Sequence, residues 1–236
     1  MRYLILLLTL LFASPAWGAA TYDAASSSSC AAPCSSLSWS HTNTGSSLAL
    51  YCAVSWYNSA TSSVSGITYN AVTMGASVGN DVNSGRKVEV FRLVAPATGA
   101  NTVAITMSAN SEGIVGGCIS AAGVDQVTPH GTIVTNNTVA TSISATITIP
   151  TNGLGIDFGV ASFDTCPTLG TKGANQTERY ELCDSANNVG GYGSTNVTTG
   201  SQAMSWTGFT TANLALVAIP INGAVTQRPI APIIFQ

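Results

Sequence analysis

From Lys87 to Gly123 the chain reads KVEVFRLVAPATGANTVAITMSANSEGIVGGCISAAG, and inside it Val103, Ile105 and Met107 alternate with Thr102, Ala104, Thr106 and Ser108. A period of two places apolar and polar side chains on opposite faces of an extended backbone, the pattern of a half-buried strand. Turn residues on either side of this run divide the stretch into three predicted strands. The same period returns in LSWSHT, where Leu37, Trp39 and His41 share a face. It returns in SLALYCAVSW, and in TSISATITIP, where Ile143, Ala145, Ile147 and Ile149 share one. No segment sustains a 3.6-residue period with capping residues, so very little helix is expected. The expectation is an all-β, antiparallel two-sheet sandwich of the jelly-roll type.

Other segments are read in the same way. GLGIDFGVAS sets Leu154, Ile156, Phe158 and Val160 against Gly155, Asp157 and Gly159, and a glycine-lined face suggests close backbone approach. NLALVAIPIN is apolar on both faces, as befits a strand covered on both sides. VSGITYNAVTMGASV reads as a strand pair broken at Asn70. GNDVNSG reads as an exposed turn, and NVGGYGSTNVTTGSQ as a glycine-rich connection.

Only 7% of the residues are charged, against about 25% in ordinary soluble domains, so Ser, Thr, Asn and Gly must supply the surface. A net charge of -3 gives no positive field for a phosphate backbone, and nucleic acid is not an expected partner. Residues 1–18 combine Arg2, an apolar run from Leu4 to Phe12 and small residues at Ala16 and Gly18, which reads as a secretory signal cleaved before Ala19. That run is shorter than the ~20 residues of a membrane span, and no stable span is expected after cleavage. A single domain is assigned to 19–222. Residues 223–236 form a tail with Pro and Ile that could be mobile or could add to a neighbour's sheet edge.

Six cysteines, Cys30, Cys34, Cys52, Cys118, Cys166 and Cys183, fall in the mature part, and an even number in an exported chain points to disulfides. Cys30 with Cys34 would close a small loop, and Cys166 with Cys183 would bracket a long polar one. Cys52 and Cys118 lie within apolar strands, where they either pair across neighbouring strands or remain buried thiols.

The order of TYDAASS, LSWSHT, SLALYCAVSW, VSGITYNAVTM, GRKVEVFRLVAPATGANTVAITMSA, a strand ending AAGVDQVTPHG, QTERYEL and MSWTGFTTANLALVAIPI is similar to a widespread secreted β-sandwich module of bacterial extracellular and phage-associated proteins. The resemblance runs from about Thr21 to Ile221. It implies a concanavalin-like or galactose-binding-like jelly roll, and it brings no catalytic residues with it. The six cysteines depart from the usual pattern of that module.

The chemistry that could be carried is limited. His41 and His130 are the two histidines, and no G-x-S-x-G turn is present, so a serine triad is not expected. His41 reads as a hydrogen-bonded histidine at a sheet edge. A glycoside hydrolase needs two facing carboxylates, and Glu89, Glu112, Asp125, Asp157 and Asp164 leave that alternative open. Asp81 and Asn83 could ligate a structural calcium, the one cofactor considered, against the competing reading of an Asx turn. Sugar recognition uses aromatic faces beside amides and hydroxyls, which singles out Trp56, Tyr57, Tyr192 and Trp206, although large aromatics also anchor cores. Sequons stand at Asn136, Asn175 and Asn196.

The function expected is therefore that of a non-catalytic secreted or cell-surface interaction module, recognising a surface glycan or protein or mediating adhesion. The alternative is a structural protein of a virion decoration or fibre, or of an extracellular filament, self-associating through an edge strand or the tail.

Overall fold

The computed structural model describes residues 18–57, 62–162, 170–184 and 189–224. Thirteen strands occupy them, with no helix among the described residues. The first sheet holds β1 (Thr21–Asn43), β2 (Ala49–Tyr57), β3 (Val64–Tyr69), β4 (Val72–Thr73), β5 (Ser77–Asn83), β6 (Arg86–Val94) and β7 (Gly99–Ala122). The second holds β8 (Val134–Ile149), β9 (Leu154–Ser162), β10 (Thr171–Lys172), β11 (Gln176–Asp184), β12 (Val189–Asn196) and β13 (Gly200–Ile221). All pairings are antiparallel, and the two sheets pack together as a β-sandwich. The winding is simpler than an interleaved roll: each sheet comes from one contiguous part of the chain, and the chain changes sheets once, between β7 and β8.

Three sequence readings are corrected. The stretch from Lys87 to Gly123 forms two strands, because its second and third predicted strands run together as the 24-residue β7. GNDVNSG belongs mostly to β5, and its turn narrows to Ser84 and Gly85, both at positive φ. Asn70 and Ala71, also at positive φ, make the β3–β4 turn. In both hairpins two consecutive left-handed residues match the twist of the flanking strands. VGGYGSTN is the buried interior strand β12, between β9 and β11.

The second sheet repeats the route of the first. In each, one long strand (β7 or β13) pairs along one edge with the opening strand of its half (β1 or β8). Its other edge takes β2 or β9 along the C-terminal portion and β3 or β10 along the N-terminal portion. A hairpin then extends the sheet, β6 with β5 or β12 with β11. Even the irregularity is shared: Ser36↔Thr106 is followed by Cys34↔Ser111, and Ser142↔Thr207 by Ala140↔Ala212. Met107 to Asn110 thus bulge opposite Ser35, as Gly208 to Thr211 do opposite Thr141. Bulges bend a strand pair, and each long pair turns a corner there and curls over its own sheet.

The curl explains why the chain has three cores. Tyr51, Ile119, Phe158 and Val217 pack between the sheets. Leu37, Trp56, Ile105 and Ile114 fill the curl of the first sheet, and Ile143, Ile147, Tyr192 and Trp206 that of the second. β13 is apolar on both faces because Leu214, Leu216 and Ala218 face its own curl while Ala215, Val217 and Ile219 face the other sheet. Gly116 and Gly117 make this possible in β7: a Cβ on Gly116 would meet the Trp39 ring, and one on Gly117 would overlap the Tyr180 ring on the opposite face. The glycine-lined face of β9 is a close approach of the same kind, with the Tyr192 ring lying on Gly159.

Cys52 and Cys118 sit directly opposite in β2 and β7 and form a disulfide inside the first curl, both at 0% exposure. Cys30 and Cys34 form a second at the β1 corner. Cys183 is also disulfide-bonded, and Cys166 lies outside the described residues. Disulfides of this kind fit an oxidising environment. The signal segment and nearly all of the tail also lie outside the described residues. The chain emerges from both ends at one pole, where Ala20 N–H donates to Asn152 O (2.8 Å), Ala224 N–H donates to Gly123 O (2.9 Å), and Gly223 bridges to Val124.

Candidate functional site

The period-two rule that builds the sheets also fixes which side chains can be reached. Trp206 shares the parity of Met204 in β13 and points into the second curl, where it and Tyr192 are 0% exposed with ring centroids 4.6 Å apart. Trp56 is buried in the first curl, its indole N–H donating to Ser62 O (3.4 Å). A sugar in solvent finds no ring face at these three positions, so they act as core anchors. Tyr57 is half-buried at the end of β2, and the Arg86 guanidinium already covers its ring at 3.9 Å.

Two polar networks lie inside the curls. In the first, Ser26 Oγ donates to His41 Nδ1 (2.8 Å) while accepting from the Trp39 indole N–H (2.8 Å), which leaves His41 Nε2–H for Asn43 Oδ1 (3.0 Å) and Ser120 Oγ (3.3 Å). Both imidazole nitrogens are engaged in a site 1% exposed. Burial holds the His41 pKa below its ordinary value against the opposing pull of Asn43 and Asp23, so the ring is neutral at pH 7. Asp23 closes this network. Although burial opposes its ionisation, hydrogen bonds from Thr44, Ser120 and Gly45 keep its carboxyl below the usual range.

In the second curl, Asp157 Oδ1 accepts from Ser194 N–H (2.7 Å) and Ser194 Oγ (2.8 Å), and Oδ2 from Gln176 Nε2 (2.9 Å) and Trp206 Nε1 (3.0 Å). Burial pushes its pKa up to about 6 in spite of these donors. By register, Asp157 opposite Ala218 occupies the place that Cys52 opposite Cys118 holds in the first sheet. The Asp157 network is sealed from solvent, whereas the His41 network is buried at His41, Asn43 and Ser120 and reaches the surface at Asp23 and Thr44.

An accessible concavity lies at the β8 corner. Asn136 on one arm donates its amide to Ser144 O on the other (2.8 Å), across the bend at Thr141. Inside the bend is a cleft of about 430 Å³ lined by Asn136, Asn137, Thr138, Ser142, Ser144 and Thr207, with Ser205 and Ile143 completing it. Every polar group in its lining is an amide, a hydroxyl or backbone, and none is charged.

Asp81 and Asn83 reach the rim of this cleft. Asn137 Nδ2 donates to Asp81 Oδ1 (2.8 Å), and Asn83 Nδ2 to Thr138 O (2.6 Å) and Leu214 O (3.2 Å). These bonds tie β5 of the first sheet to β8 and β13 of the second. Among the described residues no group of three or more His, Cys, Asp or Glu side chains comes together, and Asp81 Oδ1 is engaged by the Asn137 amide. Of the five carboxylates considered for glycoside hydrolysis, Asp157 is enclosed, Asp125 caps its own turn through Val127 N–H (2.8 Å) and Thr128 N–H (3.0 Å), and Asp164 lies outside the described residues. Sequence reasoning missed the cleft, because it is made by a bulge and by polar residues that no motif marks. No family model matches the chain, and neither the curated proteins nor the solved structures give a match.

Proposed function

We propose that this chain is a non-catalytic extracellular interaction module that binds a neutral carbohydrate in the cleft at the β8 corner. The observation that carries this reading is the lining: seven amide- or hydroxyl-bearing residues and one Ile, without a charge. Amides and hydroxyls both donate and accept, as sugar hydroxyls do, whereas a lining with no cationic side chain offers no counter-ion to a phosphate or carboxylate ligand. The signal-like N-terminus and the disulfides support an exported location, and adhesion to a glycan-bearing surface is the role in keeping with both.

The test is a glycan array probed with the mature protein, followed by titration calorimetry on any hit. Asn137→Ala and Thr207→Ala should each weaken binding about tenfold, the effect of losing about 1.4 kcal/mol. Tyr57→Ala should leave it unchanged. An array without hits, or hits indifferent to both cleft substitutions, would overturn the assignment.

A further inference from the structure

Among the described residues, β1 and β8 are each hydrogen-bonded along one edge only, to β7 and β13. Beyond their corners this leaves two arms with an open edge, Ser36–Asn43 (SLSWSHTN) and Ser142–Ile149 (SISATITI). The other sheet ends differ. β4 and β10 are two residues long, while β5 packs against β8 and β11 against β1 across the sandwich. Proteins normally guard an edge strand by brevity, charge, proline or a bulge. Neither arm contains a charged residue, a proline or a glycine. In both, Ser or Thr is exposed at every second position, Ser36, Ser38, Ser40 and Thr42 in one and Ser142, Ser144, Thr146 and Thr148 in the other. Such segments have the composition that pairs strand to strand between chains.

We propose that the β8 arm of one molecule pairs antiparallel with the β1 arm of a second copy, and that the repeated contact builds a head-to-tail filament. The two arms match in length and in charge, both being neutral, so their approach carries no like-charge penalty. Each offers hydroxyls on its outer face and buried residues on its inner face, and pairing extends both rows. The Ser144 carbonyl accepts the Asn136 amide and so points away from β13. Thr146 and Thr148, of the same parity, turn their backbone groups to that open side. Because the arms belong to different halves of the internal repeat, every pairing leaves one open arm at each end, and a heterologous contact of this kind propagates unless its rotation closes a ring.

Sedimentation velocity over a concentration series and negative-stain imaging test this on the mature protein and on two surface variants. Thr146→Lys/Thr148→Lys charges the β8 edge, and Ser38→Lys/Ser40→Lys the β1 edge. Wild type should grow into linear assemblies, each variant alone should stay at monomer mass, and an equimolar mixture should stop at twice that mass, since one intact edge remains on each partner. Unchanged urea midpoints show that the variants are folded. A wild type monomeric at its highest soluble concentration, closed dimers as its end state, or assembly persisting in either variant would overturn the proposal.

Discussion

The disulfide between Cys52 and Cys118 offers a quantitative test of the architecture. It joins residues 66 apart in sequence that face each other across β2 and β7, whereas Cys30–Cys34 joins residues 4 apart. Loop closure in the unfolded chain makes the longer link worth about 4 kcal/mol and the shorter about 2 kcal/mol. Cys52 and Cys118 are also fully enclosed, and truncating them to Ala adds a packing loss of about 1 kcal/mol. Cys52→Ala/Cys118→Ala should therefore lower the unfolding free energy by about 5 kcal/mol, and Cys30→Ala/Cys34→Ala by about 2 kcal/mol. Urea denaturation of the oxidised mature proteins, followed by tryptophan fluorescence with m-values compared, gives both numbers on one scale. A Cys52/Cys118 variant no less stable than the Cys30/Cys34 variant would refute the reasoning, since loop length and burial both rank them the other way.

Asp157 should give a distinctive pH dependence. Its folded pKa of about 6 lies above the ordinary value of 3.8, so the folded state binds the proton more tightly. The stability it contributes is present in full below the unfolded value and is lost as pH rises through the folded one. That is a change of about 2.4 kcal/mol between pH 4 and pH 7. His41, with its lowered pKa, gives the opposite slope, so the quantity to measure is the difference between wild type and Asp157→Asn; parallel pH profiles would remove Asp157 from the account. Gly117→Ala should cost about 3 kcal/mol in the same urea assay because the new methyl overlaps the Tyr180 ring. Tyr180→Phe should be neutral or stabilising by about 1 kcal/mol, since the Tyr180 hydroxyl is buried without a hydrogen-bond partner among the described residues. A destabilised Phe variant would reveal a partner for that hydroxyl.

Alternation made the arms legible in the sequence: Val103, Ile105 and Met107 in β7 and Ile143 to Ile149 in β8 are buried as the period requires. The joining of strands into β7 and β13 was not legible, because a bulge of four residues resets the parity and looks like a loop. β12 was misread for a related reason. Its glycines suggested a connection, but Gly191 and Gly193 stand where Val115 and the Tyr180 ring leave no room for a Cβ. The aromatic candidates carried a usable signal, since Trp206 shares its parity with Met204, but their surroundings depended on a curl that hydropathy alone does not reveal. The internal repeat is hidden because equivalent positions keep their geometry without their chemistry, as Phe91 and Ser194 do opposite Cys52 and Asp157.

The single change of sheet and the meeting of both ends at one pole make the order of the two halves in the gene a matter of indifference to the fold. A permuted chain that runs β8 to β13, continues from Ala224 through a short linker into Ala20, and finishes after β7 would recreate the same contacts. Its new ends would fall in the turn around Val127, which is 89% exposed. Each half would still be synthesised as one uninterrupted sheet, so whichever emerged first could curl around its own core before its partner arrived.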